Sequence, residues 1–348
     1  MTPVTIAPLD ASTSPEVDLR ACHEMWTSVS ALEFPSIVQM SYEAFLERVA
    51  LSVTHGGEQR FLVAWSDGVP LGMAFANYPV QENTTVVTVV VRVSPDARRR
   101  GIGTALLAKV VTDARLHGCK TLRGERLLTG GPGFDWAQDL GSIEMERGAY
   151  QSLTVADVDP AIWEVQVPAG FRLESWLGAA PESIVGSFAK ARTAIQDAPQ
   201  SEDSEVRRPE WTVARVRENE RMSNVTGEEL RVVVAVNETT GEIVALTETA
   251  YLPSQPSVCY QLDTAVLGAY RGNGLGRCLK AAMMRWLTAD RPQIGLMTTQ
   301  TDANNKYMIE VNRQVGYVLD YVAVSIEADI SQVEHNIRAT TSLLAADT

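Results

Sequence analysis

Residues 91–104 read Val-Arg-Val-Ser-Pro-Asp-Ala-Arg-Arg-Arg-Gly-Ile-Gly-Thr. The first of them close a β-branched run that suits a strand. The last open a run with Ile102, Leu106 and Val110 four apart, beside Leu107 and Val111, which suits an amphipathic helix. The stretch is a strand-to-helix turn. At such a turn the first helical N–H groups lack intrahelical partners, and the macrodipole adds partial positive charge. Gly101 and Gly103 remove side chains that would keep an oxyanion off the backbone, and Arg98, Arg99 and Arg100 supply fixed positive charge. A pyrophosphate is the natural occupant.

Residues 264–276, Thr-Ala-Val-Leu-Gly-Ala-Tyr-Arg-Gly-Asn-Gly-Leu-Gly, repeat the arrangement. Arg98, Gly101 and Gly103 recur as Arg271, Gly274 and Gly276, each displaced by 173 residues, and Val93 recurs as Val266. A single glycine pattern of this length equally fits an ordinary tight turn. Two copies in register, each between a strand and a helix, indicate a duplicated domain.

Around the first turn, residues 4–9 read as a strand, 16–32 as a helix with Leu19, Cys22 and Trp26 on one face, and 43–52 as a second helix with Ser41 as its N-cap. Residues 61–65, 71–78 and 85–93 read as antiparallel strands, the first two joined through Asp67-Gly68. The phosphate-turn helix ends at His117-Gly118, and a strand at 121–128 and a short helix at 134–140 follow. Residues 154–170, with Pro160 and Pro168, lack periodicity and are expected to link the halves, giving domains at 1–160 and 161–348. In the second half, strands are expected at 171–176, 230–236, 243–252, 258–266, 294–299 and 318–327. Helices are expected at 183–195, 212–222 and 304–315, with Leu275, Leu279, Met283 and Trp286 lining one face of the second phosphate-turn helix. A last helix at 332–345 suits either a cover over the junction or a trailing end.

This pattern, Arg-x-x-Gly-x-Gly between a strand end and a long amphipathic helix, resembles the acetyl-CoA signature of the GNAT acetyltransferase superfamily, and the element order covers both halves. The resemblance implies an α/β (α+β) fold of two tandem GNAT domains, each a mixed, mostly antiparallel sheet flanked by helices with a splayed central strand pair. It implies acetyl-CoA as cofactor, with pantetheine lying in the splay. Carried onto this sequence, the cofactor-binding residues are Val91, Arg92, Val93, Arg98, Arg99, Arg100, Gly101, Ile102, Gly103 and Thr104 in the first half. In the second they are Thr264, Val266, Arg271, Gly272, Asn273, Gly274, Leu275, Gly276 and Asn305.

The implied reaction is attack of a neutral amine on the thioester, which needs a proton acceptor, donors for the developing oxyanion and an acid for the leaving thiolate. Asp263, Glu248 and Tyr260, on the central strands of the second half, are the candidates for catalysis. Asp263 and Glu248 equally suit solvated strand residues or satisfied structural acids. The family's following helix reads Asn-x-x-Ala-x-x-x-Tyr-x-x-x-Gly-Phe. Here Asn305, Met308, Gly316 and Tyr317 fit, but Asn312 stands where the tyrosine belongs and has no phenolic proton to give. The first half departs further, with Ala137 at that place and no carboxylate in residues 84–88. The expectation is that the first half binds acetyl-CoA while the second acetylates the acceptor.

Composition narrows the partners. A formal charge of −13 argues against nucleic acid and suits either a cationic acceptor or plain solubility. The acidic residues Asp197, Glu202, Asp203 and Glu205 fall between two expected helices, where GNAT acceptors are gripped. Cys22, Cys119, Cys259 and Cys278 lack metal-ligand spacing, so reduced thiols and no metal site are expected. No run of about 18 apolar residues supports a membrane span, and a cytoplasmic monomer or homodimer is expected. The resemblance favours an N-acetyltransferase for a small, cationic amine, as in tandem GNAT proteins of thiol-cofactor and antibiotic pathways. A protein or peptide acetyltransferase and a CoA-binding sensor with little catalysis stand as the alternatives.

Overall fold

The computed structural model describes residues 3–51, 53, 54, 57–197 and 203–346. In chain order its elements are β1 (Thr5–Pro8), α1 (Glu16–Glu33), α2 (Tyr42–Ala50), β2 (Val53–Thr54), β3 (Gly57–Ser66), β4 (Val69–Tyr78), β5 (Val86–Val93), α3 (Ile102–Leu116), β6 (Thr121–Leu127), α4 (Pro132–Asp139) and β7 (Ile143–Thr154). The second series runs β8 (Phe171–Leu177), α5 (Val185–Arg192), α6 (Val213–Thr226), β9 (Glu229–Asn237), β10 (Ile243–Tyr251), β11 (Val258–Val266), α7 (Leu275–Asp290), β12 (Leu296–Asp302), α8 (Lys306–Gln314), β13 (Val318–Asp329) and α9 (Ile330–Ala346).

Local chemistry explains the boundaries. Ser41 caps α2 by accepting from the Ala44 amide at 3.1 Å, and Asp67 and Gly68 both take positive φ, which lets two residues reverse β3 into β4. Alternation along β3 and β4 sends Phe61, Val63, Met73 and Phe75 toward α1 and α2. Ala64, Ala74 and Ala76 face α3 on the opposite side.

The chain packs as two units. The first comprises Met1–Glu146, Ser201–Arg207 and Ala323–Thr348, and the second Arg147–Gln200 and Arg208–Val322. In the first, strand order is β1-β3-β4-β5-β6-β13, with β2 beside β3; in the second it is β7-β12-β11-β10-β9-β8. Each sheet is mostly antiparallel, with one parallel pair, β5 with β6 and β11 with β12. Helices cover both faces: α1 and α2 opposite α3 in the first unit, α5 and α6 opposite α7 in the second.

The expected break near residue 160 is displaced, because strand pairing rather than composition decides which unit a residue joins. Residues 148–154 of β7 pair antiparallel with β12, and residues 324–329 of β13 pair antiparallel with β6. The expected linker is also partly built into the second unit: Trp163 is buried, and its indole donates to the Val315 carbonyl at 2.9 Å. The last helix belongs to the first unit. Ile330, Val333 and Ile337 pack into the core that α3 builds in the first unit. Among the described residues no helix is long and apolar enough to cross a membrane, and no cluster of three His, Cys, Asp or Glu is placed to hold a metal ion. All four cysteines are buried free thiols.

Candidate active site

The two glycine turns have the same geometry. Gly101 precedes α3 at φ 76°, and Gly274 precedes α7 at φ 75°, with no side chain capping either helix. The left-handed backbone of Gly101 and Gly274 turns successive N–H groups toward one point, and Arg99 at φ 62° and Gly272 at φ 83° extend the concavity by one residue pair. Arg98 and Arg271 brace these turns identically, each donating through Nε at 3.1 Å to the carbonyl of Val93 and Val266. A Cβ on Gly103 would meet nothing closer than Val93 Cγ2 at 3.5 Å, and one on Gly276 would meet only Val311 Cγ1 at 3.8 Å. The protein's own packing therefore does not demand these two glycines, whereas a ligand seated on the amides would.

Both parallel pairs fork beside these turns. Pairing of β5 with β6 runs from Val86/Thr121 to Val89/Gly124 and stops, which leaves Val91 and Val93 on the open limb. Pairing of β11 with β12 stops at Tyr260/Thr298, and Thr299 Oγ1 donates to the Gln261 carbonyl at 3.2 Å in the crotch of the fork.

The forks are bulged on different arms: in the second the bulge is on β11 against β10, whereas in the first it is on β6, where Glu125 and Arg126 together oppose Ser325 of β13. Thr247 faces Thr264 and Thr249 faces Gln261, so Leu262 and Asp263 together oppose Glu248, whereas β4 and β5 pair without interruption from Gly72/Val93 to Asn77/Thr88. Gln261 locks the bulge by donating from Nε2 to the Glu248 carbonyl at 2.7 Å and to Thr247 Oγ1 at 3.1 Å. Beside the bulge, where β11 and β12 have parted, lies a cleft of about 370 Å³ lined by Gln261, Leu262, Asp263, Gln300, Thr301 and Asp302.

The polar groups behind this cleft are concentrated. Glu248 is fully buried, with Oε1 3.1 Å from the Arg192 guanidinium and Oε2 without a partner. Burial pushes its carboxyl up to about 7 against the pull of Arg192, helped by the negative charges of Asp263 and Glu220. Asp263, half-exposed, lies 3.7 Å from Arg192; desolvation raises its carboxyl while Arg192 and Arg208 pull it down. The Arg192 guanidinium stacks 3.4 Å above the Trp211 ring, which holds it in place. Asn312 is fully buried and donates from Nδ2 to Gln151 Oε1 at 2.8 Å and Thr301 Oγ1 at 3.4 Å, while its side-chain oxygen Oδ1 lacks a partner.

Positions 173 residues earlier make the contrast between repeats explicit. Thr247, Glu248, Gln261, Asp263 and Thr264 correspond to Ala74, Phe75, Thr88, Val90 and Val91. The first groove is walled by Val91, Val93 and Trp136, whose indole donates to Thr104 Oγ1 at 3.3 Å.

Several expected site residues serve the scaffold instead. The Arg92 side chain turns to α1, where it donates to the Trp26 carbonyl at 3.2 Å and sits 4.2 Å above the Trp26 ring; burial lowers it to about 10. Arg98 also pairs with Glu33 at 2.9 Å. Ile102 and Leu275 point into the cores, so only their amides face outward. Asn305 caps α8 by accepting from the Met308 amide at 3.1 Å, and Asn273 donates to the Tyr270 carbonyl at 3.0 Å. The Tyr260 hydroxyl donates a hydrogen bond to Gln255 Oε1 at 2.9 Å. Arg99, Arg100 and Arg271 lie exposed on the turns. In the acidic stretch, Glu202 and the Asp197 side chain lie outside the described residues. Ser204 and Glu205 are held in the first unit by Glu327, at 2.7 and 2.9 Å.

Arg192, Gln261, Trp211 and Lys280 escaped the reading of the sequence. Only Lys280 left a signal there, as a lysine inside the apolar stretch of α7 four residues past Gly276.

A family model described as the acetyltransferase (GNAT) family matches residues 24–125 and 194–317, more than half of the chain. Among solved structures, a tandem GNAT protein from the clavulanic acid biosynthesis pathway, solved without AcCoA, is similar at TM-score 0.76 and 22% identity, over 94% of this chain and 99% of that one. A GCN5-related N-acetyltransferase from Sphaerobacter thermophilus is similar at TM-score 0.70 and 14% identity, over 95% and 97%. A glucosamine N-acetyltransferase region of a fungal multi-domain GH3 β-N-acetylglucosaminidase is similar at TM-score 0.64 and 13% identity, over 94% of this chain and 38% of that one. At these identities the likeness is one of fold. No curated protein matches the sequence.

Proposed function

The chain belongs to the GNAT acetyltransferase family, whose acyl donor is acetyl-CoA, and from that premise we propose that its second repeat acetylates a small amine that arrives as a cation. The observation that carries this reading is the bulged fork at Leu262-Asp263, with Glu248 behind it and an uncapped helix start beside it. The first repeat has the helix start and the fork, but its β5 pairs with β4 without a bulge and it carries Phe75 and Val90 where the second has Glu248 and Asp263, which supports a role in holding acetyl-CoA without turnover.

The bare glycines and uncapped amides fit the diphosphate, and the unpaired limb of β11 fits the pantetheine arm. Bound acetyl-CoA supplies the thioester carbonyl that an amine attacks. This chain's residues supply the rest. Asp263 and Asp302 at the cleft give an incoming ammonium its counter-charges. Glu248 takes the proton that the amine must lose, and a carboxyl near 7 is matched to that task at neutral pH. Arg192 fixes one Glu248 oxygen and leaves the other free to accept.

The test is a panel of small amines and lysine peptides with acetyl-CoA, read as mass gain on the acceptor. The reading expects acetylation of a small amine, lost in Glu248→Gln with acetyl-CoA binding retained. Acetylation of peptides alone would favour the peptide transferase, and binding without transfer to any acceptor would favour the sensor.

A further inference from the structure

Lys280 takes no part in the chemistry above, yet its placement is costly. It is 2% exposed on α7, flanked by buried Cys278, Leu279, Ala281 and Met283. The position 173 residues earlier is Leu107, buried in the core of the first unit, so the fold accommodates an apolar side chain at this point. Among the described residues Lys280 makes no salt bridge. An ammonium taken out of water without an ion-pair contact is destabilising, and perturbed groups of this kind cluster at functional sites.

The surroundings say for what. Lys280 lies one turn beyond Gly276 and so on the same face of α7, the face that meets Val311 of α8. Its Nζ stands 5.8 Å from the centroid of Tyr317, whose amide donates to the Asn312 carbonyl at 3.1 Å. Asp263 in the bulge attracts it electrostatically, and desolvation pulls the ammonium down to about 7 against that attraction. Tyr317 Oη and Asn312 Oδ1 are both buried without partners. The titratable groups around Lys280 are thus Asp263 on β11 and Tyr317 before β13, with the Cys259 thiol behind Tyr317.

We propose that Lys280 gives the proton to the departing thiolate of CoA, the task for which the family pattern places a tyrosine and for which Asn312 has no proton. This rests on the reading of the second repeat as the catalytic one. The amine nitrogen forms the C–N bond with its lone pair, and the C–S bond breaks with its electron pair on sulfur. Lys280 Nζ passes one proton to that sulfur and is left as a neutral amine. The substrate nitrogen sheds two protons, one from the ammonium before attack and one after the C–N bond has formed, and Glu248 takes each in turn and passes it to solvent. Lys280 regains one proton from solvent, so acetyl-CoA and the ammonium give amide, free thiol and one released proton.

The experiment measures acetyl-CoA turnover across pH on the full chain, with Lys280→Met and Lys280→Arg beside the native protein. The native rate is expected to fall above about pH 7 as Lys280 loses its proton. Lys280→Met is expected to lose about 100-fold in kcat with little change in KM for acetyl-CoA, and to lose the alkaline limb. Lys280→Arg keeps the charge but holds its proton too tightly to give it up, so its kcat is expected to fall comparably. Native kcat and an unaltered alkaline limb in Lys280→Met would overturn the proposal while leaving the acetyltransferase reading intact. Full activity in Lys280→Arg would overturn it too, since charge alone would then suffice. A native chain that turns over no amine would sink the acetyltransferase reading itself.

Discussion

Glu248 Oε1 and the Arg192 guanidinium meet at 3.1 Å with both side chains buried, while Glu248 Oε2 faces no partner. One oxygen is anchored and the other is left available, which is the disposition a general base needs. Glu248 lies directly opposite the bulge of β11, an irregularity that β5 lacks.

Replacing Glu248 with Gln keeps the shape and removes the proton acceptor. The expected loss in kcat is about 10²- to 10⁴-fold, the usual contribution of a positioned base. Calorimetric affinity for acetyl-CoA should stay within error of the native value. In the native chain the base must be ionised, so kcat should fall as pH drops below about 7.

Removing the other partner has a different signature. Arg192→Met leaves a buried carboxylate without its cation, and breaking a buried pair in this way costs about 3–5 kcal/mol in stability. Because Arg192 pulls the Glu248 carboxyl down, its loss should also move the acidic limb of the rate profile to higher pH. Denaturant unfolding and the pH profile of the surviving activity check the two effects separately.

Lys280 links stability to pH with a definite sign. Its folded-state value, about 7, lies below the ordinary 10.5, so between these the unfolded chain binds more protons and stability rises with pH. Lys280→Met removes that dependence. Urea midpoints should show the variant more stable than the native chain at pH 7, by on the order of a few kcal/mol, with the gap closing toward pH 10.

Much of the scaffold is legible in the residues because it is local. The Asp67-Gly68 reversal, the Ser41 cap and the uncapped glycine starts follow from side-chain chemistry within a few positions. The ownership of β7 and β13 is not local, since their partners β12 and β6 lie well over a hundred residues away and alternation alone selects no partner. The site divides in the same way. Glu248 and Asp263 stand out as acids on central strands, and the structure puts them on one cluster with Arg192. Arg192 itself gave no sign, because an arginine near a helix end is ordinarily solvated, and its burial depends on Trp211 from a separate element. The side-chain partners of Tyr260 and Arg92 were not legible from their position along a strand, since they come from Gln255 and Trp26 in other segments.

The division of labour between the repeats is most directly tested by measuring acetyl-CoA turnover in full-length Gly276→Leu against full-length Gly103→Leu. Both glycines sit in ordinary helical backbone, and a first side-chain atom meets nothing closer than 3.8 Å at Gly276 and 3.5 Å at Gly103; urea unfolding of each variant separates loss of the phosphate's place from loss of fold. Gly276→Leu should abolish turnover, whereas Gly103→Leu should keep kcat while calorimetry loses one of two acetyl-CoA sites. Equal loss of turnover from both changes, or loss from Gly103→Leu alone, would contradict it.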